Sequence, residues 1–516
     1  MNKNNITPWS LFESSCEKYS ERNMVVYGDK KISYNQMHKK TLEFVNSINR
    51  LDFTMAGIFL PNSADFIKCL LGLNKMKKVV IPLSYQLKGE SLYERIIYAD
   101  IELIVTDNKG YEEICRVKDK IDIKSIIVLN DSTGIEIHEF QCNPKLLDGI
   151  SEDTFGICFT GGSTSSPKGV VLSNGAVAGN AVAVADFLNF SYEDKFLMAR
   201  PFTQAGPIAS DMLMCISRGG EIIILNDLYH PAVFLKAVEE YKATTTYMVR
   251  TMLVQILEYS KLKNYNLSSM RRIILGAMIT PESVIDEVRK KLPGLSLYNA
   301  YGLSEASVRV SFCGPEDIFR YPGSVGKPIK GCSVKVYLEN GNEAKPGDEG
   351  EIYVLTDYVM DGYYKHTEKT KETLTQRGLR TRDRGYINDK GYLYIVGRAD
   401  DLIIQGGNNV YPIEIEEILL RNKNVCEAAV LGVKDEKLGQ KIVALVRVKE
   451  KSDIKLQDLF KWCRMNLEDR KIPKEIYIAD VIPKNEMGKI NKHTLNTLYK
   501  TLYYQKNNYL ENRGNT

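Results

Sequence analysis

The first two-thirds of the chain alternates short β-branched runs with amphipathic stretches. MVVYG and KISYN flank Gly28-Asp29-Lys30, which predicts a hairpin leading into a helix near residues 36–48. AGIFL, a helical stretch at 64–74 and VVIPL come next, then ELIVTD, SIIVLN, GICFTG, EIIILN, TTTYMV and RRIILG. Strands this uniformly apolar, alternating with helices, predict parallel sheets covered by helices. The character changes near residue 321. SVGKPI, SVKVYLE, GEIYVL and GYLYIVG are separated by Asn-Gly, Lys-Pro-Gly-Asp and Asn-Asp-Lys-Gly turns, an antiparallel pattern. After Gly397 the pattern returns to mixed α/β, with a helix opening at Pro412, where proline suits the first helical position. The last stretch, 503–516, is polar and reads as a frayed tail.

At 516 residues the chain is too long for one ordinary core and suits several domains. Apolar residues make up 44% and charged ones 26%, and the formal net charge of +4 argues against a strongly basic nucleic-acid binder. No apolar run reaches the ~18–20 residues that span a bilayer, and the first residues lack the apolar core of a signal peptide. The expectation is a cytoplasmic protein. Ten cysteines are scattered without a Cys-x-x-Cys pair, which predicts reduced, mostly buried thiols rather than disulfides or a zinc site. Only five histidines are present, none beside a Gly-x-Ser-x-Gly elbow or in a His-Glu-x-x-His arrangement, so histidine-based hydrolysis is disfavoured.

The segment FTGGSTSSPKG, ending in Pro167-Lys168-Gly169, joins one strand to the next, VVLS. Successive backbone N–H groups in such a loop make an anion-binding concavity, hydroxyls add donors and the lysine adds charge. It is not a Walker A loop, because Lys168 is preceded by proline and followed by glycine. A plain surface turn is the competing reading of this segment by itself. Further along lie Tyr301-Gly302-Leu303-Ser304-Glu305, Thr381-Arg382-Asp383, Gly397-Arg398-Ala399-Asp400-Asp401 and Pro483-Lys484-Asn485-Glu486-Met487-Gly488-Lys489.

In order and spacing this series resembles the signature motifs of the adenylate-forming (AMP-binding) superfamily. That superfamily includes acyl-CoA synthetases, adenylation domains and firefly luciferase. The resemblance covers essentially the whole chain. It implies a large N-terminal region, residues 1–397, of two α/β subdomains plus a small β-rich one, and a mobile C-terminal α/β domain, residues 398–516. It also implies ATP, Mg²⁺ and coenzyme A as cofactors and a small carboxylic acid, fatty or aromatic, as substrate. Thr160, Gly162, Ser163, Thr164 and Lys168 would grip the ATP phosphates. Tyr301 would pack on adenine, with Gly302 beside the acyl group, Ser304 keeping a hydroxyl and Glu305 holding the metal. Asp383 would take the ribose hydroxyls, Arg398 ribose or phosphate, and Lys489 the charge developing during acid activation. Asp400 marks the hinge. Gln204, Gly276, Ala277 and Gly302 would surround the acyl group, and Gly406 and Gly407 would let the thiol acceptor's arm pass.

The chain departs from the family pattern at Gly161, Ser165, Arg382 and Lys492, at Asn174 where a histidine is usual, and at Gln204 where an aromatic or histidine is common. Three functions are compatible with this reading. The first is an AMP-forming acid–CoA ligase, favoured by Gly406-Gly407-Asn408-Asn409-Val410-Tyr411-Pro412. The second is an enzyme that loads an acid onto a carrier protein in trans, since this chain has no Asp-Ser-Leu carrier signature. The third is a nucleotide-binding relative without activity.

Overall fold

The computed structural model describes residues 6–130, 134–142, 147, 149–160, 168–225, 229–276, 280, 282–406, 408–449, 452–484 and 490–514. The hairpin forms as its turn residues require: Asn23–Tyr27 pairs antiparallel with Lys30–Ser33, Tyr27 opposite Lys30. Ser33 then caps the helix Tyr34–Ile48 in a capping box with Gln36.

Three sheets organise the chain. The largest starts at the hairpin and runs parallel through Glu221–Ile224, Lys195–Met198, Thr245–Val249, Arg272–Gly276 and Ser296–Tyr301. It then turns antiparallel through Ser311–Cys313 and Ser324–Pro328 into Leu393–Arg398, Gly378–Ile387, Gly350–Thr356 and Cys332–Tyr337. The β-rich stretch is therefore antiparallel as its turns predict, but it extends the large sheet rather than forming one of its own. Ser311–Cys313 and Ser324–Pro328 make that join, and the first, at three residues, is too brief to carry a periodic signal.

The second sheet holds Met55–Phe59, Val79–Pro82, Leu103–Asp107, Ser125–Asn130, Gly134–Glu139, Thr154–Thr160 and Lys168–Ser173, with Gly362–Tyr363 added at the edge. One continuous core joins the inner faces of both sheets through the helices Pro8–Tyr19, Ala64–Lys75 and Asn174–Phe187. The last of these is rich in alanine and valine and lacks a polar face, as a helix buried on all sides must. The third sheet is built only from residues after 402: Ile403–Gln405, Asn408–Val410, Val425–Asp435, Gly439–Val448 and Glu475–Ile478.

The chain end differs from the sequence expectation. A helix runs from Lys492 to Gly514. Leu495 and Tyr499 are buried in it, with Leu498, Leu502 and Tyr503 packed beside them. Their three- and four-residue spacing puts them on one face, and this outweighs the polar composition of the rest. All ten cysteines are free thiols. Among the described residues, no helix is long and apolar enough to cross a membrane.

Candidate functional site

The strands Thr154–Thr160 and Lys168–Ser173 pair with Thr160 opposite Lys168, so the two ends of the predicted phosphate loop lie side by side. The loop residues Gly162, Ser163 and Thr164 fall outside the described residues. Lys168 stands 5.7 Å from the centre of the Tyr363 ring. The Tyr363 hydroxyl donates to Glu305 Oε1 at 2.7 Å. Burial, together with Lys369 and Arg382, pushes the Lys168 ammonium below its usual pKa, while Glu305 and Asp400 oppose that shift. Lys168, Lys369 and Arg382 lie here among Glu305, Glu372 and Asp400, a mixed-charge setting that suits a polyanion arriving with its own metal. Tyr363 was not legible as a site residue, because it lies 58 positions from Glu305. The edge strand Gly362–Tyr363, paired with Val170 and Val171, delivers it.

Glu305 sits in a short turn, Ser304–Ala306, directly after the strand Ser296–Tyr301. Its backbone carbonyl accepts from Met360 N at 2.8 Å, which ties the turn to the segment leading to Tyr363. Among the described residues no group of three or more His, Cys, Asp or Glu could hold a metal. A single carboxylate fits Mg²⁺ all the same, since that ion keeps several waters and commonly completes its shell with substrate phosphates.

On the nucleoside side, the Tyr301 hydroxyl donates to Asp383 Oδ2 at 2.5 Å, and Arg398 Nε lies 3.7 Å from Asp383 Oδ1. Burial, then the neighbouring Asp383, pushes the Tyr301 phenol well up, so it remains a donor. The tyrosine thus aims the carboxylate expected to hold the ribose, a contact the sequence reading of Tyr301 did not include. Asp383 N donates in turn to Thr381 Oγ1 at 3.0 Å.

Arg382 has φ +62°, the left-handed region that favours glycine. A non-glycine residue therefore holds this left-handed turn, at a cost of about 1 kcal/mol. Its guanidinium gains ion pairs to Asp400 at 3.4 Å and Glu372 at 3.3 Å.

Gly302 and Gly276 are required by the chain itself. A Cβ on Gly302 would lie 1.5 Å from the Val308 carbonyl oxygen, and one on Gly276 would lie 2.1 Å from Tyr247 Oη. Gln204 is half-buried just before the seven-residue π-helical stretch Pro207–Leu213, and its carbonyl accepts from Ile208 N at 3.4 Å. Ala277 lies outside the described residues. Asn174 is a structural residue: it accepts from Asn74 Nδ2 at 2.6 Å and donates to the Asp153 carbonyl at 2.9 Å. Its departure from the family histidine is thus absorbed by packing.

The large and small sheets are connected by the turn Ala399–Asp401. Asp400 there is about half exposed and pairs with Arg382. Asp401 forms an ion pair with Lys492. Lys489 and the rest of 485–489 lie outside the described residues. They are flanked by an isolated bridge between Lys484 and Ile490, and Lys484 pairs with Glu427 at 2.5 Å. Gly406 has φ +57° and donates to the Leu438 carbonyl at 2.8 Å, so its turn alone accounts for the glycine. Gly407 lies outside the described residues.

Buried Arg250, at the start of the helix Arg250–Glu258, faces Glu416, Glu417 and Glu427 across the junction, and Lys449 pairs with Glu258 at 3.1 Å. Burial pushes the Glu416 carboxyl from 4.5 up to about 7, against the hydrogen bond from Val430 N and the attraction of Arg250. A raised carboxyl contributes stability that is full below pH 4.5 and lost as pH rises through about 7. Glu416→Gln should therefore raise the melting temperature at pH 8 by a few degrees (~2–4 °C) and flatten its fall between pH 5 and 8. Unchanged pH dependence of melting in this variant would show that Glu416 is not the group responsible.

Two family models match the chain: "AMP-binding enzyme" over residues 12–364 and "AMP-binding enzyme C-terminal domain" over 414–489. The chain belongs to the AMP-binding enzyme family. Among curated relatives, the indoleacetate–CoA ligase of Aromatoleum aromaticum is 28% identical over 444 residues, covering 85% of this chain and 86% of that enzyme. The 2-succinylbenzoate–CoA ligase of Bacillus licheniformis is 28% identical over 488 residues, covering 93% and 98%. The crystal structure of the anthranilate CoA ligase AuaEII with anthranoyl-AMP superposes with a TM-score of 0.87 at 18% identity, covering 96% of this chain and 99% of that one. At that identity the match speaks for the fold. The α/β architecture is that of adenylate-forming enzymes.

Proposed function

We propose that this family member is an AMP-forming acid–CoA ligase working in two steps, with residues 1–397 as the nucleotide-binding part and 398–516 as a moving C-terminal domain. The observation that carries the reading is the convergence of Lys168, Tyr363 and Glu305 at one pole and Tyr301, Asp383 and Arg398 at the other. In the first step the acid's carboxylate oxygen attacks the α-phosphorus of ATP in line, and pyrophosphate leaves to give the acyl-adenylate. A carboxylate is already a nucleophile and needs no general base, so catalysis is positioning plus charge neutralisation.

Thr160, Gly162, Ser163, Thr164 and Lys168 hold the phosphates, and Asp383, aimed by Tyr301, holds the ribose with Arg398. A Mg²⁺ ion on Glu305 would supply charge neutralisation at the phosphates. Lys489 meets the carboxylate and α-phosphate during this step. In the second step the thiol of coenzyme A attacks the mixed anhydride and AMP leaves. The relatives named as CoA ligases support coenzyme A over a carrier protein as acceptor. Ten free thiols, and a need for ATP and coenzyme A, support a cytoplasmic location.

The two steps need the same space at the acyl carbonyl, first for Lys489 and then for the thiol. We place the pivot at Asp400, in the one turn that links the two sheets. Asp400→Pro fixes φ and restricts Ala399, so thioester formation should fall at least about tenfold more than adenylation. Asp400→Ala serves as control for loss of the Arg382 ion pair. Wild-type rates for both steps in the proline variant would place the pivot elsewhere.

The reading is tested by ATP–pyrophosphate exchange with a panel of acids, followed by product analysis with coenzyme A. Acid-dependent exchange and an acyl-CoA product are expected. Exchange without acyl-CoA for any active acid would instead support transfer to a carrier protein, and no exchange despite ATP binding would support a nucleotide-binding protein without activity.

A further inference from the structure

Beneath the acyl end of the site lies a buried charge cluster that the two-step chemistry does not use. Arg200 follows the strand Lys195–Met198, and Arg309 follows the turn that carries Glu305. Their guanidinium groups both lie against the ring of Tyr247, at 3.6 and 4.4 Å from its centre. Arg309 is 5% exposed and Tyr247 4%. The cluster adjoins two glycines, Gly276 and Gly302, that the family resemblance sets around the acyl group. The Tyr247 hydroxyl abuts Gly276, and the Arg309 Cα lies 3.0 Å from where Gly302 would carry a Cβ. A Cβ on Gly206 would come within 3.4 Å of Arg200 Nη1.

The charges do not balance. Among the described residues, the one carboxylate within 4.0 Å of either guanidinium is Asp211, presented by the π-helical stretch Pro207–Leu213. Asp211 pairs with Arg200 Nη2, while Arg309 Nη2 stands 4.0 Å from its other oxygen, beyond hydrogen-bond reach. Arg200 Nε and Arg309 Nη2 are buried with no hydrogen-bond partner, as are Asp211 Oδ1, Ser210 Oγ and Ser307 Oγ. Two cations against one anion leave a net positive charge at a largely buried site. A charge buried without a full set of partners is costly, so a fold that keeps one gains from an anion that arrives later.

Both arginines are also held in place before any ligand binds. Asn62 donates to the Arg200 carbonyl at 2.8 Å and accepts from Phe202 N at 2.8 Å. Fully buried Asn180 donates to the Arg309 carbonyl at 2.8 Å and accepts from Arg309 N at 3.2 Å. Amide clamps of this kind fix the main chain beneath each guanidinium, the preorganisation a recognition site needs.

We propose that Arg200 and Arg309 form an anion-recognition subsite in the acyl pocket, and that the substrate is a dicarboxylic acid. One carboxylate is activated at the nucleotide, and the distal one accepts from Arg309 Nη2 and Arg200 Nε. The inference rests on the acid–CoA ligase reading and narrows its substrate class. An uncharged acyl tail would leave the two donors buried and unpaired, and a site built to bond a polar group discriminates strongly against analogues that lack it.

The test uses non-reactive acyl-sulfamoyl adenosines in matched pairs, butanoyl with 3-carboxypropanoyl, hexanoyl with 5-carboxypentanoyl, and benzoyl with 2-carboxybenzoyl. Binding to the full chain is measured by calorimetry. In at least one pair the carboxylated member should bind about 100-fold tighter or better. Arg309→Met should shrink that ratio to a few-fold, with Arg309→Lys retaining part of it. ATP affinity on the same variants reports that the fold is kept, and the wild-type comparison needs no variant. Equal or tighter binding of the uncharged member in every pair overturns the subsite. Because the analogues bind without turnover, this outcome is separate from failure of the ligase reading, which would appear as no acyl-CoA from any acid. No binding of any analogue, with ATP still bound, overturns both.

Discussion

Lys489→Ala should slow acyl-adenylate formation by about 10²–10³-fold, the loss expected when one preorganised charge donor is removed from a transition state. Thioester formation from supplied acyl-adenylate should stay near the wild-type rate. The asymmetry follows from the proposed role: the lysine would face charge that develops while the carboxylate attacks phosphorus, a charge gone once pyrophosphate has left. Lys484 and Ile490 bridge across 485–489, Lys484 is held by Glu427, and Lys492 is held by Asp401 beside the proposed pivot. Measuring pyrophosphate exchange and single-turnover thiolysis on the same preparation separates the steps. Equal losses in both would remove Lys489 from the first transition state.

Glu305→Gln should lower overall activity by about 10–100-fold at limiting magnesium, with partial recovery as the ion is raised. The substitution changes little but charge. The Tyr363 hydroxyl can still donate to the amide oxygen, and the backbone bond from Met360 to the residue 305 carbonyl is untouched. Lost folding is therefore a poor explanation for lost activity here. An activity curve that superposes on wild type across a magnesium titration would rule out Glu305 as the metal's carboxylate.

Much of this architecture can be read from side-chain pattern alone. Strands such as Leu103–Asp107 and Arg272–Gly276 are apolar on both faces because helices cover both sides, and that continuity is visible in the letters. The hairpin at Gly28 and the helix at Pro412 announce themselves through turn and cap residues. What stays hidden is pairing over distance. The strand Gly378–Ile387 carries three arginines and an aspartate and lacks a strand-like apolar run, yet it holds Asp383 against Arg398 in the next strand.

The site divides along the same line. Lys168, Glu305, Asp383 and Arg398 stand in local motifs, whereas Tyr363, Arg200 and Arg309 acquire their places only through tertiary contacts. Arg382 is the instructive mismatch. Its sequence breaks the glycine pattern, yet the backbone there is left-handed, and the side chain pairs with Asp400 and Glu372. No rule on residue type alone would supply those partners.

One chain is expected to convert ATP, a carboxylic acid and coenzyme A into acyl-CoA through an acyl-adenylate. The most direct measurement is product stoichiometry by mass spectrometry and ³¹P NMR, with a dicarboxylic acid as the first substrate tried. Acyl-CoA, AMP and pyrophosphate should appear in equal amounts, and omitting coenzyme A should leave enzyme-bound acyl-adenylate. ADP and orthophosphate in place of AMP and pyrophosphate, or acyl-CoA formed with no adenylate detectable when the thiol is withheld, would contradict it.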